Sequence, residues 1–199
     1  MSKLTEINYL LTETINYLLE TINMRIISGQ FKGRRLQVPT NITARPTTDF
    51  AKEGLFNLLN NRIDFEGIDV LDLFAGTGSI GIEFISRDAK SVISVEQNER
   101  HSAFIRKVCG ELKITNLSLI KTDVFKFIDT CHSQFDMIFA DPPYELEQLA
   151  QIPDLIFNKK LLKEEGLFVL EHSSKNNFEQ HPHFVDHRNY GNVNFSFFQ

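Results

Sequence analysis

A chain of 199 residues, 42% apolar and 24% charged, can build one domain with a proper core and a small appendage, but not two full-size domains. Its 18 Phe against no Trp make the core Phe-rich, and no run approaches the roughly 18 apolar residues of a membrane helix. The absence of a secretory leader pattern, the two cysteines (Cys109 and Cys131) and the net charge of −5 point to a cytoplasmic, metal-free protein with free thiols that does not coat nucleic acid indiscriminately.

Residues 1–23 form an N-terminal extension in which Ile7-Asn8-Tyr9-Leu10-Leu11 recurs as Ile15-Asn16-Tyr17-Leu18-Leu19. Leu4, Ile7, Leu11, Ile15, Leu18 and Ile22 fall three and four apart, the spacing of an amphipathic helix. The alternative is an accidental extension read from an upstream start, since Met24 opens a segment shaped like a natural N-terminus. No function is assigned to it. Residues 24–62 come next. Short strand-like runs punctuated by Gly29 and Gly33 predict a β-hairpin that Pro39 ends. Arg45-Pro46-Thr47-Thr48-Asp49 then supplies a turn and N-cap candidates for a helix whose apolar side is Leu55, Phe56, Leu58 and Leu59. Between residues 25 and 52, Arg25, Lys32, Arg34, Arg35, Arg45 and Lys52 face a single acid, Asp49, a net of +5 that leaves −10 for the rest of the chain. A basic patch on an acidic body suits docking on one phosphate surface, with a solvated charged face as the alternative.

Residues 63–199 alternate cleanly between strand-like and helical patterns. Val70–Phe74, Ser91–Val95, Leu117–Ile120, Met137–Ala140 and Leu167–Leu170 read as strands, and Ile80–Ser86, Arg100–Leu112 and Leu146–Phe157 as helices. That is the pattern of an α/β fold with a mostly parallel, doubly wound sheet. Phe184–Asp186 and Val193–Phe198, joined through Tyr190-Gly191-Asn192, read as a C-terminal antiparallel hairpin. His181, His183 and His187 fall in a polar stretch and are read as solvated loop residues.

The first strand runs into Asp72-Leu73-Phe74-Ala75-Gly76-Thr77-Gly78-Ser79 and Gly81. A bare Gly-x-Gly-x-x-Gly is weak support for NAD. Asp72 at the strand's carboxyl end would repel a pyrophosphate and attract an ammonium, which suits S-adenosylmethionine (SAM) better. The stretch resembles the first motif of SAM-dependent methyltransferases, and a plain strand-loop-helix turn capped by Ser79 is the alternative. Glu96 ends the second strand 24 residues after Asp72, near the offset of about 20 at which an acid receives ribose hydroxyls. The likeness implies that Asp123, with Val124 beside it, accepts from the adenine amino group, and that the cofactor lies on Asp72, Phe74, Ala75, Gly76, Thr77, Gly78 and Ser79.

Asp141-Pro142-Pro143-Tyr144 directly follows the fourth strand. Two prolines fix φ and contribute no N–H, so the carbonyls are held rigid without local donors. An exocyclic amino group can donate to the Asp141 carboxylate and the Pro142 carbonyl while Tyr144 stacks on the ring, a contact worth about 1–3 kcal/mol. A proline turn capping a helix is the bland alternative.

From Met24 the chain resembles the RsmD-type 16S ribosomal RNA guanine-N(2) methyltransferases. The matching parts are Met24-Arg25-Ile26-Ile27-Ser28-Gly29, Arg45–Asp49 with Lys52-Glu53 and Leu55-Phe56-Asn57, the Asp72–Gly78 loop, Glu96 and Asp141–Tyr144. The resemblance implies a Rossmann-like methyltransferase fold, SAM as cofactor, and methylation of one guanine of 16S ribosomal RNA, in the small subunit or an assembly intermediate, by a monomer. Arg25, Lys32, Arg34, Arg35 and Arg45 are then the RNA contacts, although Phe50 stands where the family commonly has a basic residue. DNA adenine and protein glutamine methyltransferases with the same tetrad, a non-catalytic ribosome-assembly factor and an NAD oxidoreductase are the competing readings.

Overall fold

The computed structural model describes residues 23–42 and 49–199. The expected N-terminal helix and the turn around Arg45 lie outside the described residues. Strands β1 (Asn23–Arg25) and β2 (Arg35–Gln37) pair antiparallel. Helix α1 (Asp49–Leu59) follows, and then β3 (Asp69–Leu73), α2 (Ser79–Ser86), β4 (Ser91–Val95), α3 (Glu99–Leu112), β5 (Leu117–Ile120) and α4 (Val124–Thr130). The chain continues through β6 (Phe135–Ala140), a 3-10 turn at Leu149–Gln151, α5 (Ile152–Asn158), β7 (Leu162–His172), β8 (Phe184–Tyr190) and β9 (Val193–Phe198). Among the described residues no helix is long and apolar enough to cross a membrane.

The main sheet has the order β5-β4-β3-β6-β7-β9-β8, parallel from β5 to β7 and antiparallel at β7-β9 and β9-β8. The chain runs outward from β3 to β5 and then returns to place β6 on β3's other side, so the order reverses at β3. In open α/β sheets a ligand crevice forms at that reversal, outside the strands' carboxyl ends. Both faces are covered. Val70 joins Phe56 of α1, Phe84 of α2, Phe139 and Phe195 in one buried cluster. Leu71 and Leu73 point the other way, into a cluster with Val124 and Phe127 of α4, Ile152 and Ile156 of α5, and Phe168. This alternation is the period of two that a strand imposes.

The N-terminal hairpin makes a third cluster, in which Met24, Ile26, Leu36 and Val38 pack on Ile82 of α2 and on Phe104 and Val108 of α3. The doubly wound sheet and closing hairpin expected from the sequence are both present. Several bounds differ. The helix expected over Leu146–Phe157 begins only at Ile152, after the 3-10 turn, with Pro153 in its first turn. Strand β7 starts five residues before the expected Leu167, through a register irregularity opposite Phe135–Met137. Of the three histidines expected in a solvated loop, His183 and His187 are exposed, His187 within β8 rather than a loop, and His181 is half-buried. His183 stacks on Phe157 with ring centroids 3.8 Å apart, and His187 Nε2 meets Asn194 Oδ1.

Candidate active site

The site is built at the carboxyl ends of the parallel strands. On β3, Asp72 shares Val70's side of the sheet and is 1% exposed. It accepts from the Gly81 N–H at 3.1 Å and from Ser94 Oγ at 3.5 Å. Burial disfavours its charge, the nearby Asp141 and Glu96 add to that, and the carboxyl is pushed up to about 8. Gly81 has to be glycine for this contact, because a Cβ there would lie 2.8 Å from Ser94 Oγ and 3.0 Å from Asp72 Oδ2.

The loop leaving β3 turns through positive φ at Phe74 (62°), Gly76 (56°) and Gly78 (75°). Glycine takes this region freely, whereas a phenylalanine held there costs on the order of 1–3 kcal/mol and is the kind of strain found at ligand sites. Gly78 is also the N-cap of α2. Ser79 provides no cap; its Oγ accepts from Lys52 instead.

Glu96, at the end of β4, accepts from the Gly76 N–H at 2.8 Å and the Asn98 N–H at 2.7 Å. It therefore ties the β3 loop to the start of α3. Each oxygen keeps a lone pair for a further donor. Asp123 caps α4 by accepting from the Lys126 N–H at 3.1 Å. After β6, Pro142 is buried, Asp141 is partly buried and Tyr144 is 41% exposed. The Tyr144 hydroxyl donates to Glu171 Oε1 at 3.1 Å.

Asp72, the loop that follows it, Glu96, Asp123 and the Asp141–Tyr144 tetrad line one cavity of about 860 Å³, with Glu171 behind the tetrad. Of the residues read from the sequence as cofactor-binding or catalytic, all line it except Gly78. It is also lined by Gln97, Asn98, His101, Phe125 and Leu146, which sequence reasoning missed. His101 Nδ1 lies 3.5 Å from Glu96 Oε2. Its signal was its place one turn into the helix after Glu96. Glu171 was missed too, although it is the acid at the carboxyl end of β7, just as Asp72 and Glu96 are on β3 and β4.

The described lining carries Asp72, Glu96, Asp123 and Asp141 and no Lys or Arg. A pyrophosphate would find no counter-charge there, while a cationic ligand would.

The basic segment differs from its count. Lys52 is 1% exposed and donates to the Arg25 carbonyl at 2.5 Å and to Ser79 Oγ at 3.0 Å, with Glu83 Oε2 at 3.6 Å. Arg25 is held by Asp49 at 2.7 Å and Glu53 at 2.5 Å. Arg45 lies outside the described residues. Lys32, Arg34 and Arg35 are exposed on the hairpin.

The family described as conserved hypothetical protein 95 matches residues 24–199. The ribosomal RNA small subunit methyltransferase D of Buchnera aphidicola subsp. Baizongia pistaciae is 32% identical over 149 residues, which are 75% of this chain and 76% of that protein. Its Escherichia coli K12 namesake is 33% identical over 153 residues, 77% of this chain and 76% of that one. A solved structure of a putative methyltransferase from Escherichia coli superposes with a TM-score of 0.78 at 29% identity, covering 89% of this chain and 97% of its own. The glycine loop, the acids and the Asp141–Tyr144 tetrad thus sit in a chain that belongs to the ribosomal RNA small subunit methyltransferase D family.

Proposed function

We propose that this protein transfers a methyl group from SAM to the exocyclic N2 amino group of one guanine in 16S ribosomal RNA, in the small subunit or an assembly intermediate. The observation that carries this reading is a single cavity that joins an acidic, cation-free cofactor end to the Asp141-Pro142-Pro143-Tyr144 tetrad. The residues fit SAM. Asp72 is a buried carboxyl whose ionisation is disfavoured until a cation such as the methionine ammonium arrives. Glu96 has acceptor capacity for two ribose hydroxyls, and Asp123 and Val124 border the same space. When bound, SAM supplies an electrophilic methyl on its sulfonium.

The chain's own contribution is positioning. Asp141 and the Pro142 carbonyl accept the two N–H bonds of the target amine, and Tyr144 stacks on its ring. These interactions hold a weakly nucleophilic nitrogen in line with the methyl and make it more pyramidal. The nitrogen becomes acidic only as the N–C bond forms, and Asp141 or water then takes the proton.

Residues 24–62 serve as the RNA-docking unit and 63–199 as the methyltransferase domain, acting as a monomer in the cytoplasm. The test is mass mapping of modified nucleosides in ribosomal RNA from cells lacking the protein, with methylation restored by purified protein and SAM. Loss and return of one N2-methylguanosine in 16S RNA is expected, and an unchanged modification set overturns the reading.

A further inference from the structure

The tetrad leans on a residue that the proposed methyl transfer does not itself use. Glu171 is the second-last residue of β7, next to β6 in the sheet, and the pairing of Ala140 with Leu170 sets Asp141 beside Glu171. Glu171 is only 5% exposed. Its Oε1 accepts from the Tyr144 hydroxyl. Its Oε2 is buried with no donor to satisfy it.

A carboxylate oxygen in that state is costly, and two adjacent charged carboxylates are costlier still. One proton removes both problems if it sits on Oε2 and is donated to the neighbouring Asp141 carboxylate. We propose that Glu171 is a positioning residue for the methyl-accepting tetrad, present as the neutral acid, with Oε2–H donating to Asp141 and Oε1 accepting from Tyr144.

The assignment of the proton to Glu171 follows from the surroundings. Asp141 is the more open of the two, faces the cavity, and is the group that must stay an acceptor for the target amine. The ionisable groups facing Glu171 are Asp141 and Tyr144, both from the loop that follows β6. On β9 its paired neighbour is the uncharged Phe195. The adjacent His172 turns its ring nitrogens to the Ser173 carbonyl and Ser196 Oγ. Burial raises both carboxyls, the Asp141 charge raises Glu171 further, and the bond from Glu171 lowers Asp141.

Glu171 therefore does two mechanical things. It pins the Tyr144 hydroxyl, which fixes the plane on which the base stacks. It also anchors the Asp141 carboxylate without cancelling its charge. At alkaline pH the proton leaves, the two carboxylates repel, and the tetrad loses its geometry.

The consequence for methyl transfer rests on the proposed function, but the proton itself can be read without it. Glutamate labelled with carbon-13 at the side-chain carboxyl should show, in the free wild-type protein at neutral pH, one resonance at the position of a neutral acid. That resonance should vanish in Glu171→Gln. The amide of Glu171→Gln can still donate to Asp141 and accept from Tyr144, so its kcat should stay within about threefold of wild type, whereas Glu171→Ala should lose at least about tenfold in kcat at nearly unchanged KM for SAM. The wild-type kcat should fall on the alkaline limb, and the Glu171→Gln profile should not. A wild-type spectrum with no neutral glutamate overturns the proposal, as does a folded Glu171→Gln protein as inactive as Glu171→Ala. A neutral Glu171 in a protein that methylates no RNA would leave the proton assignment standing and remove the functional reading instead.

Discussion

Asp72, Glu96 and Asp141 are three acids in one cavity, and their surroundings give each a different task. Asp141 opens the proposed amine-binding tetrad, so Asp141→Ala should abolish methyl transfer while SAM affinity stays nearly intact; turnover within about threefold of wild type would remove its catalytic role. Glu96 faces the cofactor end and also holds the Gly76 N–H. As the proposed ribose acceptor it would be lost from both roles at once, and Glu96→Ala should weaken SAM by about 1.5–3 kcal/mol in calorimetry. Asp72 contributes a pH dependence of its own. Burial pushes its carboxyl up to about 8 in the free folded protein, against about 3.9 when unfolded. Between those values the folded state holds more protons, so stability is greatest below the lower value and declines as pH rises towards the upper one. A bound ammonium favours the ionised form. SAM binding near neutral pH should therefore release up to about one proton, read from calorimetry in buffers of different ionisation enthalpy, and Asp72→Asn should abolish that release.

The helix α1 shows how a count of charges and a helical pattern have to be read together. Lys52 stands three, four and seven residues before Leu55, Phe56 and Leu59, on the buried side of the helix. Its spacing, not its charge, signalled that it leaves the surface. Glu83 of α2 completes the arrangement by accepting from the N–H groups of Ile27 and Ser28 and from Arg87. The hairpin is thus tied to the helix that begins at the glycine loop after β3. Lys52→Met keeps the volume but strips the Arg25 carbonyl and Ser79 Oγ of a donor, and should cost about 1–3 kcal/mol of stability in denaturant titration. It should also weaken SAM, because Ser79 lines the cavity; unchanged affinity would show that the tie ends at the hairpin. Elsewhere the sequence was readable wherever apolar periodicity was strong. It showed β3, β4, β5 and α3 nearly to the residue. It hid α4, a seven-residue helix with only Val124, Phe127 and Ile128 buried. It also hid the first half of β7, where Lys163-Glu164-Glu165 and an irregular register conceal the strand. The site's acids on β3, β4 and β6 were legible because turns or prolines follow them. Glu171 was not, because a lone acid after an apolar run gives no sign of the neighbour that defines it.

Across the whole molecule, charge separates by place. The cavity lining is acidic, while the exposed Lys32, Arg34 and Arg35 sit on a hairpin packed on α2 and α3. Ser79 and Ile80 of α2 and His101 of α3 line the cavity from the first turns of those same helices. A phosphate backbone held on the hairpin would thus be referenced to the site through two rigid elements. With Lys52 buried and Arg25 held by Asp49 and Glu53, the proposed phosphate grip would fall, among the described residues, to the other three cations. Phosphate contacts set position and carry no sequence information, so replacing Arg34 and Arg35 together with Ala should weaken RNA binding broadly. The slope of log affinity against log salt should flatten by roughly 0.7–0.9 for each phosphate that the variant no longer neutralises. The base that is methylated should not change, and SAM affinity should not move, because neither arginine lines the cavity. Arg25→Ala should have a smaller effect on the salt slope, since its charge is already answered by two carboxylates, and should register mainly as a drop in stability. If the double variant binds RNA as wild type does, with the same salt slope, the exposed cations are a solvated face and RNA must dock elsewhere.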